Sequence, residues 1–218
     1  MLIAGIVVTA AWLVVGRWAV DVTAARGVPQ GGQVGVAAGG GLEVLQLRPN
    51  FFVIAGGGSN VGVQIGDDGV VVVDAGSSAS ASNVLAAIQK LTPRPIRYII
   101  DTSADPDHVG GNDKLSLAGV PILPGRYRRA ALIGRDYAPI LAEERALKRM
   151  SAPTGEKALH PVEAWPTSTY SVEAGETQRK LVINGDAIQV MYQPAAHTDG
   201  DSLVYFRRSD VLMTGDIF

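Results

Sequence analysis

Ile99-Ile100-Asp101-Thr102-Ser103-Ala104-Asp105-Pro106-Asp107-His108-Val109-Gly110-Gly111-Asn112 is the stretch from which the rest of this chain is read. The apolar run Ile96–Ile100 has the composition of a buried strand. It breaks at once into a loop carrying three acids, a serine and a histidine. A strand that delivers acids and a histidine to one loop sets a metal or acid–base site on a rigid edge. Gly110-Gly111 follows immediately, so the backbone is expected to turn tightly where larger side chains would clash.

Upstream, Leu42–Leu47 and Phe51–Ala55 read as strands separated by the turn signal Pro49-Asn50. Gly56-Gly57-Gly58 reads as a hairpin turn, because no Gly-x-Gly-x-x-Gly pattern with a following helix makes it a phosphate cradle. Ser59–Ile65 alternates Val61, Val63 and Ile65 on one face, as a half-buried strand does. Asp67-Asp68-Gly69 turns into Val70–Asp74, whose unbroken valines suit a strand covered on both faces. After Asp74-Ala75-Gly76, Ser77 or Ser78 is expected to cap a helix carrying Val84, Leu85, Ile88 and Leu91, which Pro93 closes. Strand, helix and strand at these intervals predict a parallel crossover.

Downstream, a short helix is expected over Asp113–Leu117 and a small strand over Val120–Leu123, with helices over Arg126–Ile133 and Tyr137–Met150. Arg145, Lys148 and Arg149 suit the C-terminal end of the last helix as a solvated face, which explains them better than a phosphate site does. Ser151–Thr169 has no periodicity and is expected to be a long loop, either a substrate-side flap or a cover for the core. His160 within it falls outside ligand spacing and reads as structural or exposed. Asn184-Gly185 between Lys180–Ile183 and Ala187–Val190 is a two-residue hairpin signal. Beyond it, the His197-Thr198-Asp199-Gly200-Asp201 loop precedes the strand Ser202–Phe206, and Val211–Thr214 runs into Gly215-Asp216.

The chain has 218 residues, 47% of them hydrophobic, and a net charge of −2, which suits one globular domain with a sizeable core. That charge gives no basic footprint for nucleic acid. With no cysteine, disulfides, thiolate metal sites and cysteine nucleophiles are excluded. The only histidines are His108, His160 and His197. Leu2–Val15 is apolar and shorter than the roughly 20 residues that span a bilayer core. Residues 1–24 are therefore expected to be a signal peptide, with Val22-Thr23-Ala24 as cleavage site, or an uncleaved membrane anchor, and the protein to be exported. Residues 25–41 read as a Gly-rich linker and residues 42–218 as the folded domain.

The loop after Ile100 resembles the signature of the metallo-β-lactamase superfamily, Thr-His-x-His-x-Asp-His-x-Gly-Gly-Asn. Thr102, Asp107, His108, Gly110, Gly111 and Asn112 fill that pattern, while Ser103 and Asp105 stand where it has histidines. Val70–Gly76 is similar to the family's strand ending in Asp-x-Gly, His197-Thr198-x-Gly-Asp to its third-histidine loop, and Thr214-Gly215-Asp216 to its metal-bridging aspartate. The resemblance implies an α/β (α+β) fold, a four-layer αββα sandwich of the metallo-β-lactamase type. That sandwich is expected to be incomplete here at the C-terminus, because the family continues past this aspartate with further strands, a helix and a last histidine.

Carried over residue by residue, the resemblance places one metal against Ser103, Asp105 and His197 and a second against Asp107 and His108, with Asp216 touching both. Zinc is the family's usual ion. Serine is a poor ligand and Asp105 a hard one, which shifts preference towards manganese, iron or magnesium. Asp107 is then the catalytic residue that orients the attacking water. Asp74 is either a carboxylate that hydrogen-bonds the loop from behind or a solvated acid at a strand end. The implied activity is metal-dependent hydrolysis of an ester, amide or phosphoester-type bond. The alternative is a non-catalytic, metal-poor or truncated relative that acts as a binding module. A metal-free triad of Ser103, His108 and an aspartate is disfavoured, since no Gly-x-Ser-x-Gly elbow is present.

Overall fold

A meander starts the first sheet: β1 (Val36–Gly39), β2 (Leu42–Arg48), β3 (Phe51–Gly57), β4 (Ser59–Gly66) and β5 (Gly69–Val73) each run antiparallel to the one before. This is a computed structural model, and it describes residues 36–39, 41–122, 136–154, 157–158 and 160–218. The expected leader over residues 1–24 and the expected helix over 126–133 lie outside them. β1 falls inside the stretch expected to be linker. Its Val-Ala-Ala-Gly sequence carries no strand pattern, and the open edge of β2 supplies the pairing.

Helix α1 (Ala81–Leu91) crosses to β6 (Ile96–Ile100), which lies parallel to β5 as expected. Ser80, rather than Ser77 or Ser78, occupies the N-cap position, and its hydroxyl donates instead to the Gly57 carbonyl at 2.5 Å. Two short helices follow, α2 (Pro106–Val109) and α3 (Asn112–Ala118). The strand expected at 120–123 does not form over its described residues. Val120 donates to the Ile96 carbonyl at 2.9 Å, and Pro121 has no N–H with which to continue a ladder.

The helix expected over Tyr137–Met150 is corrected by β7 (Ile140–Glu143), which slots in parallel beside β6 and is buried throughout. Only α4 (Glu144–Ser151) is helical, and the Glu143 carboxylate caps it by accepting from the Arg145 N–H at 2.5 Å. A small hairpin, β8 (Pro153–Thr154) with β9 (Lys157–Ala158), and a 3-10 turn at Val162–Ala164 come next. β10 (Ser168–Tyr170) then joins β7 in parallel. The expected loop thus supplies the last strand of an eight-stranded sheet, ordered β1-β2-β3-β4-β5-β6-β7-β10.

The second sheet is antiparallel: β11 (Gln178–Ile183), β12 (Asp186–Gln193), β13 (Asp201–Phe206) and β14 (Val211–Met213). Its first hairpin turns at Asn184-Gly185 with φ of +56° and +66°, the left-handed pair that this dipeptide favours. Period-2 alternation stacks the layers. Val70, Val72, Ile99 and Ile140 meet Val84, Ile88 and Leu115 on the helix side. Val71, Val73, Ile100 and Leu141 meet Ile188, Val190, Val204 and Phe206 of the second sheet. The result is three layers of the expected sandwich; on the second sheet Val182 and Leu212 stand exposed, and a second helix layer is not among the described residues. No helix among them is long and apolar enough to cross a membrane.

A buried carboxylate joins the sheets. Asp186 accepts from Arg208 N at 2.7 Å, Ser209 N at 3.0 Å and Ser209 Oγ at 2.8 Å. It also accepts from Gln64 Nε2 of β4 at 3.0 Å. Asp186→Ala strands these donors and is expected to cost about 3 kcal/mol or more, read from the urea unfolding midpoint. Val182→Ser at an exposed strand position is expected to stay within about 0.5 kcal/mol. A loss below 1 kcal/mol for Asp186→Ala would show that the sheets hold without this link.

Candidate metal centre

Asp74 follows directly on β5, is buried, and has a φ of +61°, a conformation that a non-glycine residue keeps only when its surroundings fix it. Its own N–H donates to the Ile100 carbonyl at 2.9 Å, which seats it under the loop leaving β6. Thr102 donates to it twice, from N to Oδ1 at 2.8 Å and from Oγ1 to Oδ2 at 2.7 Å. His108 Nδ1 donates to Oδ2 at 3.0 Å. Asp74 therefore holds the loop from behind and is not a solvated acid. With Nδ1 engaged, His108 presents Nε2 to the open side of the loop. That nitrogen is buried, makes no hydrogen bond, and stands 3.1 Å from Asp216 Oδ1.

Gly110 and Gly111 have ordinary negative φ values and are needed for space. A Cβ at Gly110 would lie 2.4 Å from the Pro106 oxygen, and one at Gly111 would lie 2.3 Å from the Ala75 oxygen. Their absence lets α2 sit on the end of β5, where Ala75 N donates to the His108 carbonyl at 2.6 Å. Behind the loop, Asn112 Nδ2 donates to Asp101 Oδ2 at 2.9 Å and to the Ala164 carbonyl at 3.1 Å. Burial, reinforced by the nearby Asp74 charge, pushes the Asp101 carboxyl well above the usual carboxylate range.

The second sheet supplies the facing side. Asp201, buried at the start of β13, accepts from Thr198 N and Thr198 Oγ1, both at 2.5 Å, and so fixes the loop that carries His197. His197 Nε2 lies 2.9 Å from Asp105 Oδ2 and 3.9 Å from Asp216 Oδ2. Asp216 sits on a 3-10 turn after β14, where Gly215 packs so closely on Thr102 that a Cβ would lie 2.5 Å from its hydroxyl.

Five of the expected ligands are thereby brought together in two groups that share Asp216. One group is Asp105, His197 and Asp216; the other is Asp107, His108 and Asp216; within each, the ligand atoms lie within 4.8 Å of one another. Ser103 belongs to neither. Its buried hydroxyl donates to Asp105 Oδ2 at 3.2 Å and accepts from Asp105 N at 3.3 Å. His160 is also outside both groups. Its ring is buried and hydrogen-bonds the Ala104 backbone, and Trp165 Nε1 donates to its carbonyl at 3.0 Å. Burial holds its pKa below the usual histidine value.

These residues fit a divalent cation. A buried imidazole oriented at one nitrogen by a carboxylate, with its other nitrogen turned to a second carboxylate at the open side, is arranged as a metal-ligating histidine is. Asp105, Asp107 and Asp216 add carboxylate oxygens, the donors that hard divalent cations take. In the metal-free chain burial works against the charged form of His108. The hydrogen bond and charge of Asp74, with the charge of Asp216, outweigh it and raise the His108 pKa to about 10.

A groove of about 390 Å³ opens in front of Asp107, His108 and Asp216, with Leu47, Val53, Leu212 and Met213 among its lining. Ser59 lines it too, with a buried Oγ that lacks a hydrogen-bond partner. Sequence reading took Ser59 only as the first residue of a strand, and a lone serine there carries no signal of more. Asp201 did leave one: its place three residues after Thr198 is the spacing of a local side-chain-to-backbone turn.

The sequence profile of the metallo-beta-lactamase superfamily matches residues 54–218. No curated protein matches the chain. Among similar solved structures is a Cronobacter sakazakii metallo-beta-lactamase with a HARLDQ motif, at 20% identity and a TM-score of 0.55, covering 76% of this chain and 59% of that one. A subclass B3 metallo-beta-lactamase from a soil metagenome library shows 19% identity and a TM-score of 0.53, covering 74% and 56%. A double mutant of a sec-alkyl sulfatase shows 16% identity and a TM-score of 0.56, covering 79% and 31%. At these identities the likeness is one of fold, and the chain spans between 31% and 59% of these structures' own length.

Asp74→Ala is expected to lower divalent-metal affinity by roughly 10- to 100-fold, measured by calorimetry on protein that circular dichroism shows to be folded. An unchanged affinity would mean that His108 is oriented without it. The raised pKa of His108 also sets a pH dependence in the metal-free chain. A histidine whose pKa is higher folded than unfolded stabilises fully below about 6.5 and loses that contribution as pH rises through the folded value. Urea stability of the metal-free protein is thus expected to fall between pH 7 and about pH 10. In His108→Gln that slope is expected to flatten.

Proposed function

The chain belongs to the metallo-beta-lactamase superfamily, and from that premise we propose that it is a metal-dependent hydrolase of a small molecule carrying an ester, amide or phosphoester-type bond. The observation that carries this reading is the convergence of His108, His197, Asp105 and Asp107 on the single carboxylate of Asp216 at the mouth of the groove. Those five residues hold a divalent ion, zinc by family habit or manganese or iron by virtue of the extra carboxylate. When bound, the ion supplies Lewis acidity that polarises the scissile group and brings the pKa of water towards about 7.

The chain's own groups do the rest. Asp107 is exposed at the groove and orients the attacking water, accepting its proton. Asp74 keeps the His108 ring in one orientation. Apolar side chains of the groove take the part of the substrate remote from the reacting bond, and the Ser59 hydroxyl offers that substrate a hydrogen bond. Departures from the usual ligand set have company among the structural neighbours: one is named for its HARLDQ motif and another for an active site glutamic acid. Export through residues 1–24, as a cleaved signal or an anchor, completes the proposal.

A second reading, a metal-poor binding module, is favoured by one observation: Ser103 is turned onto Asp105 and gives the cluster no ligand. Plasma mass spectrometry of the purified full chain separates the two. One or more equivalents of divalent metal per chain are expected, lost in His108→Ala, with turnover of neutral esters, lactams or sulfate and phosphate esters falling at least about 100-fold. A folded protein without metal defeats the hydrolase and leaves the binding module.

A further inference from the structure

We propose that the two halves of this centre fill in order: Asp107, His108 and Asp216 take the first ion tightly, while Asp105, His197 and Asp216 form a weaker second position. This rests on the hydrolase reading and adds to it an occupancy that follows metal supply.

The halves differ in how far they are organised before an ion arrives. The His108 side chain is 3% exposed, with its Nδ1 held by Asp74 and its Nε2 already 3.1 Å from Asp216 Oδ1. Asp107 precedes it on the same helical turn. An ion entering there orders little that is not ordered already.

The other half has an exposed imidazole. The His197 side chain is 49% exposed, Asp105 32% and Asp216 39%. His197 Nε2 lies 2.9 Å from Asp105 Oδ2, as His108 Nε2 lies 3.1 Å from Asp216 Oδ1, but no carboxylate like Asp74 fixes the His197 ring from behind among the described residues. Fixing the exposed His197 ring costs conformational entropy that the buried His108 ring does not lose. Ser103, the neighbour that could complete the set, is turned onto Asp105.

Charge acts in the same direction. Both groups draw on Asp216. Once one ion has neutralised it, the second meets less negative charge and a cation close by.

The test is calorimetric titration of the metal-free full chain with Mn2+ and separately with Zn2+, with folding checked by circular dichroism. Two steps at least tenfold apart are expected for each ion. The tight step is expected to vanish in His108→Ala and, should that variant fail to fold, in Asp107→Asn at an exposed position. In His197→Ala and Asp105→Asn the tight step is expected to stay within threefold while the second is lost. Asp105→His is expected to tighten the second step at least tenfold for Zn2+ and not for Mn2+. Loss of the tight step in His197→Ala, or two equal steps in the unaltered chain, overturns the order proposed here and leaves the hydrolase standing. No binding of either ion by folded protein overturns the hydrolase reading as well.

Discussion

The carboxylate of Asp74 is the contact on which the site's geometry depends. A charge taken out of water needs hydrogen bonds to hold it, and Asp74 accepts from the Thr102 N–H, the Thr102 hydroxyl and the His108 ring. Those bonds fix the backbone turn and the imidazole together. They arise because β5 and β6 lie parallel and side by side, so that the residue after one strand meets the loop after the other. The left-handed backbone at Asp74 and the two glycines against α2 are the local concessions that this close approach requires.

The sandwich brings the second set of ligands to the first. β5 and β6 carry Asp74 and the acid-rich loop at their C-terminal ends, while β13 and β14 border the segments that hold His197 and Asp216. Nothing in the loop itself sets the spacing between the two sides. It is set by the apolar residues between the sheets, where Phe51 meets Phe206 edge to face at 4.8 Å, and by the polar link from Gln64 to Asp186. Interiors packed this densely transmit small shifts, so the geometry around Asp216 is a property of the whole core.

The donor set departs from the family pattern at Ser103 and Asp105, and the structure shows what each does there. Asp105 still reaches the cluster and engages His197. Ser103 is drawn back onto Asp105 and serves as a local brace. The two halves then have the same donor types and differ in their imidazoles, His108 buried and held by Asp74 and His197 half exposed. That asymmetry follows from geometry.

How much of this was legible in the chain varies with the range of the physics involved. The valines of β5, the Asn184-Gly185 turn and the crossover through α1 follow from local periodicity and turn chemistry, so the sequence by itself determined them. The likeness of Ile99–Asn112, His197–Asp201 and Thr214–Asp216 to one family pointed to the candidate ligands that the structure gathers around Asp216. Tertiary structure decided the rest. Ala142 and Glu143 belong to a strand only because a slot beside β6 accepts them, whereas their composition favours a helix. β1 and β10 exist because sheet edges were open to pair with. That Asp74 is buried beneath His108, and that Asp216 faces two histidines at once, are facts about opposing strands. No single segment encodes them, because each depends on residues far apart in sequence being held within a few ångströms by the core.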